Sequence, residues 1–265
     1  MTRLDAALAA RGLARSRSHA ATLISAGLVS VDGRQIIKAS TAVRDDSSLT
    51  VAESDHYVSR GAHKLNAALD AFEVPVSGRL ALDMGASTGG FTQVLLERGA
   101  RRVLAVDVGH DQLAPRVAAD PAVVNVEGFN VRNMTPESLV DATGEEQAPD
   151  LIVGDLSFIS LDLILPAAVS VAAPGADLVI LVKPQFEVGR TAVRGGLVTD
   201  PATRADAVAR VIWNAWDAGL GMLGIIPSPI LGTHGNAEFV VHMAPGRGEN
   251  PTEWKHRIDE LAGGR

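Results

Sequence analysis

The 265-residue chain contains no cysteine. This absence excludes disulfide bonds, iron–sulfur clusters, thiolate zinc sites and every mechanism that uses a cysteine nucleophile. The seven histidines are scattered, so we expect no metal site. No stretch approaches the ~20 apolar residues that a membrane-spanning helix needs. The N-terminus contains arginines and no hydrophobic signal core, which favours a cytoplasmic protein.

The net charge of −7 is unevenly distributed along the chain. Residues 1–50 hold seven basic and four acidic side chains, a net charge of +3, which leaves −10 for the rest. A basic module on an acidic body favours phosphate binding over the alternative of a helix surface that is charged only for solubility. The side chains that we expect to contact RNA are Arg3, Arg11, Arg15, Arg17, Lys38 and Arg60.

Two short helices and a β-hairpin are predicted for the basic module. Leucine spacing indicates a first helix that Gly12 ends, and Ser16 or Ser18 can cap a second helix that stops at Gly27. The pair Asp32-Gly33 lies between two apolar runs and predicts a two-residue hairpin turn. After the module, Ser59 can cap a further helix.

Beyond residue 78, short aliphatic runs alternate with helical segments. This alternation predicts an α/β fold, a doubly wound Rossmann-like sheet whose ligand lies at the carboxyl ends of the strands. The predicted strands cover residues 80–84, 102–107, 123–127, 151–155, 177–183, 222–227 and 237–243. The predicted helices between them cover about 90–98, 160–173 and 201–219. The predicted divisions are an RNA-binding domain at 1–52, a linker at 53–58, a catalytic domain at 59–245 and a tail at 246–265.

A glycine-rich loop, residues 83–91, follows the first of these strands and opens a helix. Glycines allow a tight turn and let a ligand approach the backbone amides. The spacing is GxxxGG rather than GxGxxG, and acids at the ends of two strands could receive a sulfonium cofactor and its ribose. These features favour S-adenosylmethionine over a dinucleotide, the alternative being that the acids only cap loops. The candidate cofactor residues are Asp83, Gly85, Ser87, Thr88, Gly89, Gly90, Phe91, Asp107, Asn130 and Asp155.

Four charged residues stand where a packed sheet does not require them: Lys64, Asp155, Lys183 and Glu238. Each alone is more typical of a surface charge, but all four should converge near the glycine loop. Their types suit methyl transfer to a ribose 2′-hydroxyl, in which a lysine buried beside a second cation accepts the hydroxyl proton. Either Lys183 or Lys64 could be this base.

Other methyl acceptors fit less well. Methylation at carbon 5 of pyrimidines normally needs a cysteine nucleophile, which this chain lacks. Methylation of base amino groups typically uses an Asn/Asp-Pro-Pro-aromatic run after the fourth strand, where this sequence has Asp-Leu-Ser-Phe at 155–158.

Five stretches together resemble the hemolysin A (TlyA) family of ribosomal RNA 2′-O-methyltransferases: residues 58–65, 83–92, 154–161, 182–189 and 235–239. The catalytic half resembles FtsJ-type enzymes, and the first fifty residues resemble the alpha-L, ribosomal-protein S-four-like, RNA-binding module. The resemblance implies a Lys-Asp-Lys-Glu tetrad at Lys64, Asp155, Lys183 and Glu238. It also implies cytidine 2′-hydroxyls of 23S rRNA, and in some members 16S rRNA, as substrates.

The implied partner is ribosomal RNA within ribosomal subunits, bound by a monomer that is not stably attached to a membrane. Three alternatives belong to other classes. The first is a membrane-active hemolysin, and the second is a non-catalytic RNA-binding protein that retains a cofactor pocket. The third is a small-molecule methyltransferase, which would leave the basic module without a purpose.

Overall fold

The basic module is a small α+β unit at the start of the chain. A computed structural model describes residues 2–25, 27–51, 56–189, 193, 195–232 and 235–263. The module consists of β1 (Thr2–Arg3), α1 (Leu4–Ala10), α2 (Arg17–Ser25), β2 (Val29–Val31), β3 (Arg34–Gln35), β4 (Ala42–Val43) and β5 (Leu49–Val51). Strand β1 pairs with β4, and β2 lies between β3 and β5. Leu4, Leu8, Ile24 and Val29 are fully buried between these elements.

Local signals in the module are confirmed. Asp32 and Gly33 have φ values of 51° and 77°, the left-handed pair that a type I′ hairpin turn needs. The amide of His19 donates to Ser16 Oγ at 3.1 Å, so Ser16 rather than Ser18 caps α2. The predicted cap at Ser59 is wrong. Helix α3 begins at Gly61 after Arg60, so Ser59 stands one residue too early to cap it.

The remaining elements form the larger part of the chain, here called the body. They are α3 (Gly61–Ala71), β6 (Leu80–Met84), α4 (Gly90–Glu97), β7 (Arg102–Val106), α5 (Pro115–Ala118), β8 (Val123–Val126), α6 (Pro136–Thr143), β9 (Leu151–Gly154), α7 (Leu165–Val171), β10 (Asp177–Val182), α8 (Pro184–Glu187), α9 (Pro201–Asp217), β11 (Leu220–Pro227), β12 (Phe239–Pro245) and α10 (Pro251–Gly263). Two 3₁₀ turns cover Val131–Asn133 and Leu161–Leu163.

A seven-stranded sheet organises this body, with the strand order β8-β7-β6-β9-β10-β12-β11. Strand β12 runs antiparallel to both neighbours, and the other neighbouring pairs are parallel. Alternate residues feed two cores: Leu82 and Ile180 pack on one face, and Ala81 and Val179 on the other. Both faces are therefore covered, which confirms the doubly wound, mostly parallel sheet.

Several features of the body differ from the prediction. The short helices α5, α6 and α8 were not predicted, although Thr135 and Ser138 cap each other reciprocally at the start of α6, as in a capping box. The helix predicted over 160–173 is divided into a 3₁₀ turn and α7. The stretch described as a tail contains α10, which buries Ile258 and Ala262 in the larger core.

The module and the body are joined by the linker and by direct contact. Residues 53–55 of the predicted linker lie outside the described residues. Val58 donates its amide to Gln93 of α4 at 2.9 Å, which fixes the end of the linker on the body. The side chain of Gln35 in β3 accepts from the amide of Leu231 at 3.4 Å. None of the described helices has the length and apolar character that crossing a bilayer requires.

Candidate active site

The four predicted charged residues lie together at the carboxyl edge of the sheet. Asp155 directly follows β9 and Lys183 directly follows β10, while Lys64 comes from α3 and Glu238 precedes β12. Lys183 Nζ is 2.6 Å from Asp155 Oδ1, and Lys64 Nζ is 2.7 Å from Glu238 Oε2 and 3.7 Å from Asp155 Oδ2. The predicted convergence is confirmed. We name these residues the tetrad.

Burial strengthens the electrostatic interactions between the tetrad side chains, because less water screens their charges. Lys64, Lys183 and Glu238 are all buried, and charges are rarely buried unless they are paired. Burial by itself raises the pKa of Asp155, but the ammonium groups of Lys64 and Lys183 outweigh it, so the pKa lies below the ordinary value. Asp155 is therefore a carboxylate at neutral pH, placed between two cations.

The tetrad borders three cavities. One, of about 250 Å³, is lined by all four tetrad residues together with Arg60 and part of the glycine loop. Another, of about 240 Å³ and here called the acceptor cavity, is lined by Lys183, Glu238, Phe158, Phe186 and Asn236 among others. The ring of Phe158 is 89% exposed, and its centroid lies 5.0 Å from that of Phe186. The tetrad is thus open to a ligand from the side of the acceptor cavity.

A third cavity, of about 470 Å³, extends the site toward β7 and β8, and we call it the cofactor cavity. Its wall includes Gly85, Ser87, Asp107, Asn130 and Asp155. Asp107 Oδ2 accepts the amide of Ser87 at 2.8 Å, and Oδ1 accepts the amide of Gly109 at 2.7 Å. These bonds hold the carboxylate at the end of β7, where further lone pairs can receive hydroxyl groups.

The glycine loop has the close approaches that its composition suggests. Gly89 has a φ of 93° and is the N-cap of α4, and a Cβ there would lie 2.7 Å from Leu113. A Cβ at Gly90 would overlap Ser59. Thr88, Gly90 and the buried Phe91 line the cavity of about 250 Å³. Gly89 lines none of the three cavities described above.

Asp83 lies behind the loop, fully buried at the end of β6. Thr92 donates its hydroxyl to Asp83 Oδ2 at 2.6 Å, while Oδ1 is buried without a hydrogen-bond partner among the described residues. Burial raises the pKa of Asp83 to about 7, against the lowering effect of the Thr92 hydroxyl. A predicted cofactor residue is thus a carboxyl with unused hydrogen-bonding capacity beneath the loop.

The predicted RNA-binding arginines of the module differ in their availability. Arg11 donates to the backbone carbonyls of residues 44, 45 and 47 at 2.6–3.1 Å, so it ties the β4–β5 loop to α1. Arg3 and Arg17 both contact Asp5, at 3.0 and 3.2 Å. Arg15 and Lys38 are exposed, and the described part of the chain gives their side chains no ion pair.

Several residues of the site had no assigned role in the sequence. Ser157 Oγ accepts a hydrogen bond from Lys183 Nζ at 2.8 Å. The centroid of the Phe186 ring lies 5.9 Å from the same Nζ. Both belong to the strand-end runs that contain Asp155 and Lys183, so the signal was their place directly after a strand. Asn236 bonds to Gly196 and Val198 across the chain, and no local pattern indicates that pairing.

Comparison with known proteins agrees with this architecture. Residues 57–244 match the family model of FtsJ-like methyltransferases, and residues 2–48 match the S4 domain. The fold and the site therefore define the class: an FtsJ-like methyltransferase domain joined to an S4 domain.

Relatives narrow the class to one family. The chain is 51% identical over 244 residues to the 16S/23S rRNA (cytidine-2′-O)-methyltransferase TlyA of Mycobacterium tuberculosis, covering 91% of this chain and 89% of that one. It is 37% identical to hemolysin A of Brachyspira hyodysenteriae, covering 91% and 99%. A solved structure of a candidate hemolysin from Streptococcus thermophilus has a TM-score of 0.75 at 38% identity, covering 97% and 94%. The chain belongs to the TlyA family.

Proposed function

We propose that this chain is an S-adenosylmethionine-dependent rRNA (cytidine-2′-O)-methyltransferase that acts on 23S rRNA and also on 16S rRNA. The observation that carries the proposal is the buried tetrad, with two ammonium groups around one carboxylate between a cofactor cavity and an acceptor cavity. The name of the Mycobacterium tuberculosis relative supports the choice of acceptor.

The residues of the cofactor cavity fit S-adenosylmethionine. Asp107 offers a carboxylate for the ribose hydroxyls, Asn130 stands beside it for the adenine edge, and apolar Leu156 and Ile159 complete the wall. Gly85 and Ser87 of the glycine loop form the wall next to Asp107. The bound cofactor supplies an electrophilic methyl group. Asp155 places negative charge in the wall of this cavity, which suits a cationic sulfonium better than a phosphate.

Between the two candidate bases, the geometry favours Lys183. Lys64 Nζ is engaged by carboxylate oxygens of Glu238 at 2.7 Å and of Asp155 at 3.7 Å, and Lys64 does not line the acceptor cavity. Lys183 has one carboxylate at 2.6 Å and the neutral hydroxyl of Ser157 at 2.8 Å. Lys183 also borders the acceptor cavity. In its neutral form, after loss of one proton to solvent, Lys183 Nζ would accept the proton of the 2′-hydroxyl, and Lys64 and Glu238 keep Asp155 in place.

The acceptor nucleotide enters through the acceptor cavity, where Phe158 and Phe186 offer aromatic faces to an unstacked base. Sequence-specific RNA enzymes commonly stack a splayed base on such rings. The module holds the surrounding RNA through phosphate contacts of Arg15 and Lys38, with Arg3, Arg17 and Arg60 as further cations. These contacts position the RNA without reading its sequence.

Mass-spectrometric mapping of ribose methylation tests the proposal. Ribosomal subunits are treated with the enzyme and isotope-labelled cofactor, and we expect labelled 2′-O-methylcytidine in 23S and 16S rRNA. Cofactor binding without labelled rRNA would favour the non-catalytic RNA-binding protein, and label on small molecules alone would favour the small-molecule enzyme. Leakage from lipid vesicles caused by the purified protein would support the membrane-active alternative.

Charge reversal in the full chain tests the role of the module. The pair Arg15→Glu and Lys38→Glu should weaken binding to ribosomal subunits and flatten its salt dependence, because fewer counterions are released. The matched control reverses Lys255 and Arg257 of α10, which are also exposed. Equal losses in both double variants would contradict a specific role for the module.

A further inference from the structure

Two short segments carry most of the acceptor side of the site, and they are connected twice. The first segment, residues 155–161 after β9, is here called the β9 loop, and the second, residues 183–187, contains α8. At one end, Lys183 Nζ contacts Asp155 at 2.6 Å and Ser157 at 2.8 Å. At the other end, the connection is made by Glu187, which has no part in the chemistry proposed above.

Glu187 spends both carboxylate oxygens on the β9 loop. Ser160 donates its hydroxyl to Oε2 at 2.7 Å, and the amide of Leu161 donates to Oε1 at 3.0 Å. The side chain is buried, and Arg210 of α9 approaches Oε2 only to 3.8 Å. Burial raises the pKa of Glu187 in spite of these two hydrogen bonds. A buried carboxyl is costly compared with an apolar side chain of the same size, so the fold alone gives little reason for it.

The part of the β9 loop between the two connections is strained. Phe158 has a φ of 64°, a left-handed conformation that is unfavourable for a bulky L-residue. Such backbone persists only where the surrounding structure holds it. Phe158 has no burial of its own to hold it, since its ring is 89% exposed. The constraints come from the ends of the loop, where Asp155 is bound to the lysines and Ser160 and Leu161 are bound to Glu187.

We infer that Glu187 is a positioning residue, which fixes the β9 loop against α8 and thereby sets the width of the acceptor cavity. It holds Ser157 and Phe158 opposite Lys183 and Phe186 without contacting RNA or cofactor. The inference rests on the proposed function for its kinetic consequence. Its structural consequence, a rigid β9 loop, can be measured without RNA.

The kinetic test is the single-turnover rate of methyl transfer to ribosomal subunits at saturating enzyme and cofactor. Glu187→Ala should lower this rate about 30-fold, since small misplacements of reacting groups are costly, while the Kd for S-adenosylmethionine changes less than about threefold. Glu187→Gln keeps one oxygen acceptor and should recover most of the rate. The matched control is Thr143→Ala, which removes a buried hydroxyl bonded to Leu139 at 2.6 Å in α6 and should leave the rate unchanged.

A double-variant cycle and hydrogen exchange separate positioning from general stability. Ser160→Ala should also slow the reaction, and adding it to Glu187→Ala should cost little more, because both remove one connection. Amide exchange in residues 156–161 should accelerate in Glu187→Ala and in Ser160→Ala but not in Thr143→Ala. If Glu187→Ala does not fold, the Ser160→Ala and Glu187→Gln variants carry the same comparisons.

Wild-type rates in Glu187→Ala, additive losses in the double variant, or unchanged exchange in the β9 loop would each overturn the inference. A different outcome would overturn the proposed function and not the positioning role. In that outcome the wild-type enzyme leaves rRNA unmethylated, while amide exchange in the β9 loop is still faster in Glu187→Ala and Ser160→Ala than in the wild type.

Discussion

Strand β10 has a charge cluster built on a buried carboxylate or lysine at each end, and the two clusters differ in whether they border a cavity. At its start, Asp177 accepts from Arg79 at 2.6 Å, from Arg247 at 2.7 Å and from His242 at 2.9 Å. Beyond its end, Lys183 meets Asp155, which also faces Lys64. The first cluster lines none of the cavities described above, whereas the second opens into three of them.

The difference shows that buried charge does not by itself indicate a site. The Asp177 cluster joins β10, β12 and the segment before β6, and every polar atom of its carboxylate is used within the fold. The tetrad pairs two lysines with two carboxylates, and it lies beside cavities that a ligand can reach. A position next to a cavity is therefore the feature that separates the cluster proposed for chemistry from the cluster that stabilises the fold.

The largest effect that we expect comes from a substitution in the tetrad. Lys183→Ala should lower the methyl-transfer rate by about 10³-fold, because the reaction loses its general base, with little change in unfolding temperature. Single-turnover kinetics and thermal unfolding check this. Lys64→Ala is the informative companion, since it removes the cation with two carboxylates and should also destabilise the fold. A fully active Lys183→Ala would end the case for this lysine as the base.

The Asp177 cluster should show the reverse pattern, a loss of stability without a loss of rate. Asp177→Ala should lower the free energy of unfolding by about 3 kcal/mol, since it leaves the buried His242 and the partly buried Arg79 without their carboxylate, while the folded fraction keeps its rate. Burial opposes ionisation of Asp177, but His242, Arg79 and Arg247 hold its pKa below the ordinary value. This stability is therefore present at neutral pH and lost as the pH falls through the lowered pKa. A large rate loss at unchanged stability would contradict the assignment.

A buried carboxyl without a cation sharpens the comparison further. The pKa of Asp83 is raised from 3.8 to about 7 by burial, so the fold favours its protonated form. Its contribution to stability is complete below pH 4 and declines as the pH rises toward 7. Urea unfolding of the wild type and Asp83→Asn at pH 5 and pH 8 should show the wild type losing relative stability at the higher pH. A parallel pH dependence of the two proteins would count against a raised pKa.

The smallest effect is expected in the module, where the buried Asp5 pairs with two exposed arginines. The hydrogen bond from Arg3 holds the pKa of Asp5 down to about 2, with Arg17 contributing. Asp5→Asn should change stability only slightly, because ion pairs with solvated arginines contribute little. It should raise the affinity for ribosomal subunits by no more than about threefold at low salt, since two arginines are released for phosphates. Weakened binding would show that Asp5 orients these arginines.

Much of this organisation could be predicted from the sequence because it depends on short-range patterns. Aliphatic runs placed the strand β6 at the correct residues, and the topology of parallel sheets brings strand ends such as 155 and 183 to one edge. Helix α6 was missed because it is short, although its start carries a capping signal at Thr135. These are properties of neighbouring residues or of a known sheet topology.

Pairing between distant side chains could not be predicted in the same way. Arg11 looks like an RNA contact in the sequence, but its guanidinium is used by carbonyls more than thirty residues away. The sequence likewise does not show that Glu238 pairs with Lys64 rather than with Lys183. Such choices depend on loop conformations, which the local pattern of polar residues leaves open.

The hydrogen bond from the amide of Leu231 to Gln35 connects the module to the body at a second point, away from the linker. This contact holds the module against the body, so it limits the distance from Arg15 and Lys38 to the tetrad. If these two side chains bind RNA as proposed, that distance restricts which sugars of the bound RNA can reach the tetrad.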